Sequence, residues 1–453
     1  MNKDKDFLGT EPVGKLMFRL ALPTITAQLI NMLYNIIDRI YIGHIPGNGA
    51  LALTGVGVCM PLIMIISAFA ALVGGGGAPH ASIAMGKNDL NTAEHILGNC
   101  FFLQILISII LTVILLFGNR TFLLAFGASE NTISYATAYM NIYAIGTIFV
   151  QITLGMNTFI TAQGKAITGM MTVLIGAVAN IILDPIFIFG MHMGVRGAAL
   201  ATVFSQCVSA FFVTWSLTKD YDSMKLQFRE LRMEACVLKR ELKIGIPGAL
   251  QACAYGVTNV VIQASINSFG TDTAAGWAAY GKLDLIFWTV SSALGAAVTT
   301  FVGQNYGAGK WDRVYKSIRV NIGISYVFTG MIIFTLYAFC EPMYHMFTTD
   351  PKVIDIGVYM LRFLVPSYLL SILLENLDGG LRGVGDVLWP TIFTFGGLFL
   401  IRLPWVMILT PIYHKVEILL ISYPIAWGGT LLFVIPYYFW KKKKCFNKIC
   451  SEK

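Results

Sequence analysis

The sequence predicts an all-α membrane protein of twelve transmembrane helices, arranged as two pseudo-symmetric six-helix bundles. Three observations predict it: a scarcity of charge, apolar stretches that recur at membrane-spanning length, and landmarks that repeat in the two halves. Of the 453 residues, 56% are hydrophobic and 12% charged, against roughly 25% charged in an ordinary soluble domain. Stretches of about 20 apolar residues recur from Leu16 to Trp440, the length that crosses a hydrocarbon core of about 30 Å. Helices satisfy their own backbone hydrogen bonds in lipid, and no stretch alternates apolar and polar residues as a membrane barrel strand does. The first apolar stretch follows a mixed-charge segment without a cleavage site, so no removable leader is expected.

In chain order the spans fall at 17–42, 51–76, 96–117, 133–160, 167–190, 196–217, 244–269, 275–302, 317–340, 354–378, 388–410 and 418–440. Basic residues fix the orientation. Residues 1–19 hold four, Lys87 and Lys165 follow, 219–243 holds seven, 310–319 four, Arg382 one and 441–453 six, which is 24 of the 32. The opposite loops hold only Arg120, Arg196, Lys352 and Lys415. Positive charge stays inside, so both termini are expected in the cytoplasm of a cell whose inner membrane the chain spans. The domains are then an N-lobe at 1–218, a cytoplasmic linker at 219–243, a C-lobe at 244–440 and a basic tail at 441–453. Lys441–Lys444 reads as a stop-transfer signal and headgroup anchor.

The two halves repeat each other. Leu22-Pro23 opens the first span and Ile246-Pro247 the seventh. Gly86-Lys87-Asn88-Asp89 follows the second span, and Gly309-Lys310-Trp311-Asp312 follows the eighth. Later, Gln163-Gly164 matches Arg382-Gly383 and Asp184-Pro185 matches Leu403-Pro404, both at an offset of 219. Parallel six-helix repeats of this kind are a standard transporter plan, in which the substrate binds at the repeat interface.

Span 1 carries Thr24, Gln28, Asn31, Asn35 and Asp38 at intervals of 4, 3, 4 and 3, so they line one face, with Tyr34 beside them. A polar stripe faces the bundle interior or a water-filled cavity. The amides alone would serve equally well as interhelical hydrogen-bond glue. The carboxylate argues for more, because a charged Asp at mid-membrane costs roughly 2.5–3.5 kcal/mol on insertion scales. Arg39 next door leaves open that both lie near an interface. In span 5, Asn180 and Asp184 stack on one face with Thr172 and Gly176, and Pro185 frees a backbone carbonyl. Thr202 in span 6 adds a hydroxyl. Two carboxylates with amide and hydroxyl oxygens suit either a hard cation or a transferable proton. The bland alternative is that Asp184 caps or pairs locally near the outer surface.

Span 7 repeats the stripe without a carboxylate, as Gln251, Tyr255, Thr258, Asn259, Gln263 and Asn267. Ion coupling is therefore expected in the first half, with the second half supplying a polar and aromatic wall. Gln28, Asn31, Tyr34, Asn35, Tyr255, Asn259 and Gln263 are the substrate-cavity candidates, with Lys282 and Asp284 in second rank. Lys282 and Asp284 read as a local neutralising pair, and Glu375 and Asp378 as a structural ion pair with Arg382. Arg402 is a further charge inside span 11.

Several functions are excluded. The net charge of +8 is an inside bias and no nucleic-acid face. The eight cysteines form no CxxC pair or metal spacing. Gly74–Gly77 lacks the Lys-Ser/Thr of a phosphate loop and reads as a site of close helix packing. Without a nucleotide motif or clustered His, neither ATP-driven transport nor enzymatic chemistry is expected, and no cofactor beyond a coupling ion.

The motifs in combination resemble the multidrug and toxic-compound extrusion (MATE) transporters. They are Asn35-Ile36-Ile37-Asp38-Arg39-Ile40-Tyr41-Ile42-Gly43, Pro61, Gly86-Lys87, Ala162-Gln163-Gly164, Asn180 to Asp184-Pro185, Gly303-Gln304-Asn305-Tyr306-Gly307-Ala308-Gly309 and Leu381-Arg382-Gly383-Val384-Gly385-Asp386. The likeness covers essentially the whole chain. It implies the MATE fold, alternation between inward- and outward-open states, and export of amphipathic cationic compounds in exchange for H⁺ or Na⁺, by a monomer in the lipid bilayer. It also implies a cation site at Asp38, Asn180, Asp184 and Thr202. The acidic site that other members place on helices 7 and 10 lacks its helix 7 carboxylate here. Two other readings carry different expectations: a lipid-linked precursor flippase of the same superfamily would have a basic cavity, and a membrane scaffold would have no use for paired intramembrane acids.

Overall fold

A computed structural model describes residues 11–219, 224–231 and 233–451. The basic residues before position 11, linker positions 220–223 and 232, and the last two residues of the tail lie outside these. Nearly everything described is helix. Among the described residues ten helices are long and apolar enough to cross a membrane, and a pair bent by 58°, Ile133–Ile145 and Thr147–Ala162, passes the same test when taken together. The remaining predicted span, 244–269, lies in the 33-residue helix Ala235–Asn267. The helices are mostly longer than their apolar cores: span 2 runs Gly49–Gly86 and span 3 runs Leu90–Ala125.

Between spans 2 and 3 the chain turns at Asn88, with φ 60°. Asp89 caps the next helix, accepting from the Thr92 amide at 3.0 Å and its hydroxyl at 2.6 Å. Those bonds hold the Asp89 carboxyl below the usual carboxylate range. Span 8 ends at a similar left-handed residue, Gly309, and spans 4 and 10 end at Gly164 and Gly385. Asn88 and Gly309 are 221 positions apart, as are Gly164 and Gly385. The structural repeat therefore pairs Gly164 with Gly385, two residues beyond the Gly383 that the sequence pattern selects.

The chain divides into two compact units, one holding Phe18–Ala249 and the other everything described from Leu250 onward, together with the start of span 1. In the first unit, Leu97, Phe101, Met156, Phe159 and Val213 from spans 3, 4 and 6 share one buried core with Val73 of span 2. Small residues set the spacing. A Cβ on Gly74 would stand 2.7 Å from the Gly155 carbonyl oxygen, so spans 2 and 4 touch backbone to backbone, as the glycine run predicts. A Cβ on Gly176 would collide with the Ser209 hydroxyl, which donates to the Thr172 carbonyl at 3.0 Å.

The linker is part of this unit. Glu94 of span 3 accepts from the Lys225 amide at 3.1 Å and from Gln227. His95 lies 2.8 Å from Glu230, and Gln163 donates to the Met224 carbonyl at 3.0 Å. Further along, Glu241 is buried against Gly76, with neither carboxyl oxygen partnered.

In the second unit, span 8 (Thr271–Gly307) packs against spans 9 and 10. Asn376 Oδ1 accepts from Asn321 at 2.5 Å and Ser325 at 3.2 Å, and Thr299 donates to the Gly379 carbonyl at 2.9 Å. At the end of span 12, Lys441 pairs with Asp386 at 2.5 Å, so this member of the basic run holds the protein itself.

Spans 5 and 11 share one irregularity. Each widens into π-helix, at Ile186–Gly190 after Pro185, and at Gly396–Arg402 and Trp405–Leu409 on either side of Pro404. A proline lacks the amide that would close the normal turn, and π turns frequently accompany functional sites.

Candidate functional site

Span 5 is helical through Asn180 and Asp184 because Ala177, Ile181 and Leu183 continue an apolar helix up to Pro185. One turn apart, Asn180 Nδ2 points to Asp184 Oδ1 at 3.4 Å. Asp38 comes from span 1, and its carboxyl interacts with that of Asp184. Asp184 is fully buried and Asp38 is 9% exposed. Three oxygens of this group have no hydrogen-bond partner: Asp38 Oδ1, Asp184 Oδ2 and Asn180 Oδ1. Thr202 of span 6 donates its hydroxyl proton to the Ala198 carbonyl at 3.0 Å, and Tyr139 interacts with the same hydroxyl. Arg39 is exposed and turns away, its Nη2 reaching Met60 Sδ at 3.3 Å.

Tyrosines complete it. Tyr139, buried in span 4, approaches both Thr202 and Asp38 and stacks on Tyr143, with ring centroids 6.0 Å apart. Tyr34 contacts Asn35 and Gln206 and lies near Asp38. Sequence reasoning missed Tyr139, Tyr143 and Gln206. Tyr135, Tyr139 and Tyr143 recur every fourth residue, which is the signal that would have marked that face. Of the rest of the span 1 stripe, Asn35 touches Tyr34 and bonds back to the Asn31 carbonyl at 2.7 Å, and Gln28 and Asn35 are exposed.

In the second unit, Asp284 is the centre of a different cluster. Its Oδ1 accepts from Tyr280 at 3.2 Å and Tyr368 at 2.5 Å, and its Oδ2 from Trp288 Nε1 at 3.0 Å. The expected pairing with Lys282 does not form. Lys282 is exposed, with Nζ 5.3 Å from the Phe347 ring centroid; two residues along a helix do not face each other. The expected ion pair of Arg382 with Glu375 and Asp378 is also absent: Arg382 Nη2 donates to Gln251 Oε1 at 2.9 Å. Asp378 is buried with Oδ1 unpartnered, so the second unit has buried acids of its own. Tyr255 joins the Asp284 cluster through Trp288, ring centroids 6.4 Å apart. Asn259 and Gln263 do not: both are exposed, and Gln263 bonds to Asn267 at 2.9 Å.

For two neighbouring buried carboxyls, carrying both charges at once is costly, and a proton or a cation relieves that cost. Oxygen-only donors of this kind suit a hard monovalent or divalent ion.

Known proteins share this organisation. The MatE family model matches twice, over residues 23–186 and 247–408, one match per predicted half. The probable multidrug resistance protein YoeA of Bacillus subtilis is 26% identical over 445 residues, covering 95% of each chain. The multidrug export protein MepA of Staphylococcus haemolyticus is 25% identical, covering 85% of this chain and 88% of its own. Among solved structures, an outward-facing multidrug resistance MATE transporter superposes with a TM-score of 0.89 at 19% identity, covering 99% of this chain and all of that one. A MOP superfamily transporter from Pyrococcus furiosus gives 0.88 at 20%, covering 98% of each. A nearly all-helical architecture with up to eleven candidate spans among the described residues, a twofold internal repeat and a family match to each half lead to one conclusion: the chain belongs to the MatE family of membrane transporters.

Proposed function

We propose that the protein is a secondary active exporter of amphipathic cationic compounds, driven by inward movement of H⁺ or Na⁺ at Asp38 and Asp184. One observation carries the reading: two carboxyls from spans 1 and 5 meet at a buried place with three oxygens lacking donors. The names of YoeA and MepA support drug export as the task.

In this reading both termini are cytoplasmic, the membrane is the cell's inner one, and the exporter works as a monomer by alternating access. An entering ion takes the place between Asp38 and Asp184, with Asn180, Thr202 and Tyr139 supplying further contacts. Ion and cargo weaken each other's binding by the same factor, as linkage requires. Na⁺, when bound, would be held by Asp38, Asn180, Asp184 and Thr202 and would offset one of the pair's two negative charges; a proton would do so by bridging the carboxyls.

The test is reconstitution in vesicles, with a pH gradient and a Na⁺ gradient imposed separately while efflux of a fluorescent organic cation is followed. Uphill movement under one gradient is expected. A protein that moves no cation under either, but scrambles a pyrophosphate-linked lipid between leaflets, would be a flippase instead.

A further inference from the structure

Spans 9 and 12 meet at one edge of the second unit, where the first begins and the second ends. Span 9 (Trp311–Ala338) carries no charge from Val320 to Ala338, and the last helix none from Ile418 to Trp440. Arg319 and Lys441 therefore stand at the border of the apolar core. Across this border the two helices are joined by two rungs of side chains. At the first, the Tyr315 hydroxyl donates to the Lys442 carbonyl at 3.3 Å, and Lys442 Nζ sits 4.9 Å from the Tyr315 ring centroid. One helical turn further in, Arg319 acts electrostatically on Tyr438. Each rung pairs an aromatic ring with a cation, and the two exchange helices from one rung to the next.

The protein does not use up these charges. Asp386 is taken by Lys441 and Tyr437, at 2.5 and 2.6 Å, and Glu11 by Lys15 at 3.4 Å. Arg319 and its neighbour Lys316 are exposed and form no hydrogen bond or ion pair among the described residues. The face that Arg319 opens continues as Val327, Met331 and Phe334, all exposed and apolar at helical spacing. Such a stripe on a membrane helix is turned to lipid. An arginine at its edge lays its stem along apolar surface and carries the guanidinium into the headgroup layer, where tyrosines also gather. The acceptors at that depth are phospholipid phosphates, which a guanidinium grips through parallel N–H bonds.

We propose that this edge of the second unit is a binding site for an anionic phospholipid, its phosphate held by Arg319 and Lys442 and its acyl chains lying along Val327, Met331 and Phe334. A zwitterionic lipid carries an ammonium group beyond its phosphate, which Lys316 and Lys442 repel, so the site selects a headgroup without positive charge. The inference stands apart from the exporter reading. It is also narrower than anchoring by the whole Lys441–Lys444 run: Lys441 is engaged with Asp386, and Lys444 turns back over Trp440, 5.1 Å from its ring centroid.

The experiment compares phosphatidylglycerol with phosphatidylcholine of identical acyl chains, titrated into the purified full chain in neutral detergent and followed by native mass spectrometry. Phosphatidylglycerol is expected to bind roughly tenfold more tightly, the value of one hydrogen-bonded charge. Combining Arg319→Gln with Lys442→Gln brings the two lipids level. Combining Lys443→Gln with Lys444→Gln removes the same charge from the same end of the molecule and keeps the preference. Equal binding of the two lipids by the unmodified protein overturns the proposal, even where a variant fails to fold. An unchanged preference in the first double variant overturns it too. So does equal loss in both double variants, because diffuse attraction to positive charge then suffices. Displacement of bound phosphatidylglycerol by excess inorganic phosphate also overturns it, assigning these charges to a soluble anion.

Discussion

The two units are repeats that turn the chain at matched places, yet their principal buried acids are satisfied differently. In the first unit, spans 1 and 5 leave three oxygens without donors, at Asp38, Asn180 and Asp184. In the second, the orphaned atoms include two nitrogens on Arg402 together with the Oδ1 atoms of Asp378 and Asn321, while Asp284 is saturated by two tyrosines and a tryptophan. Asp184 and Arg402 both adjoin the proline-associated π-helix of spans 5 and 11. Duplication has kept the backbone device and exchanged the chemistry mounted on it. A repeated scaffold therefore identifies where function sits in each half; the side chains must be read separately for each.

The sharpest way to break this comparison is to neutralise one acid in each unit. Asp184→Asn or Asp38→Asn should lower gradient-driven efflux roughly a hundredfold, with the protein still in the membrane. A hundredfold change corresponds to about 2.7 kcal/mol of lost coupling. Asp284→Asn should act on stability instead, costing about 2 kcal/mol in thermal unfolding in detergent, because Trp288 loses its carboxylate acceptor. A comparable collapse of coupling in both variants would erase the distinction between the units.

Smaller perturbations sharpen it. Gly176→Ala presses a methyl group onto the Ser209 hydroxyl and should cost about 1–3 kcal/mol. Combining it with Ser209→Ala should recover most of that loss, measured by the same unfolding curve. The gentlest test concerns the matched turns. Gly309→Ala must hold a side chain at φ 70° and should lose about 1 kcal/mol, whereas Asn88→Gly should shift stability by only a few tenths. Equal responses at the two positions would mean the turns are not equivalent.

The crossings were legible because lipid enforces length and apolarity, and the repeat because its landmarks are prolines and glycines with backbone roles. The face carrying Asn180 and Asp184 follows from helical spacing alone. Its meeting with Asp38 required only that two costly carboxylates find a common interior. What stayed hidden depends on partners distant in sequence. Tyr368 reaches Asp284 across 84 positions and Gln251 reaches Arg382 across 131. No local pattern announces either pair, and charge proximity along the chain suggested Lys282 and Asp378 in their place. Tyr139 escaped notice for another reason: aromatic residues are so abundant in this chain that a buried tyrosine beside an acid reads as ordinary packing.

The docking of residues 224–230 on spans 3 and 4 bears on any attempt to split the gene. Met224, Lys225 and Glu230 hold the first unit through Gln163, Glu94 and His95, and the opening turns of span 7 as far as Ala249 group with that unit as well. Cutting at the run of charges would strip one half-protein of its own seam and leave the other with a helix end made for an absent surface. Two co-expressed fragments should reassemble better when the break falls beyond Asn267, in the short connection before Thr271, even though that divides the repeat unevenly.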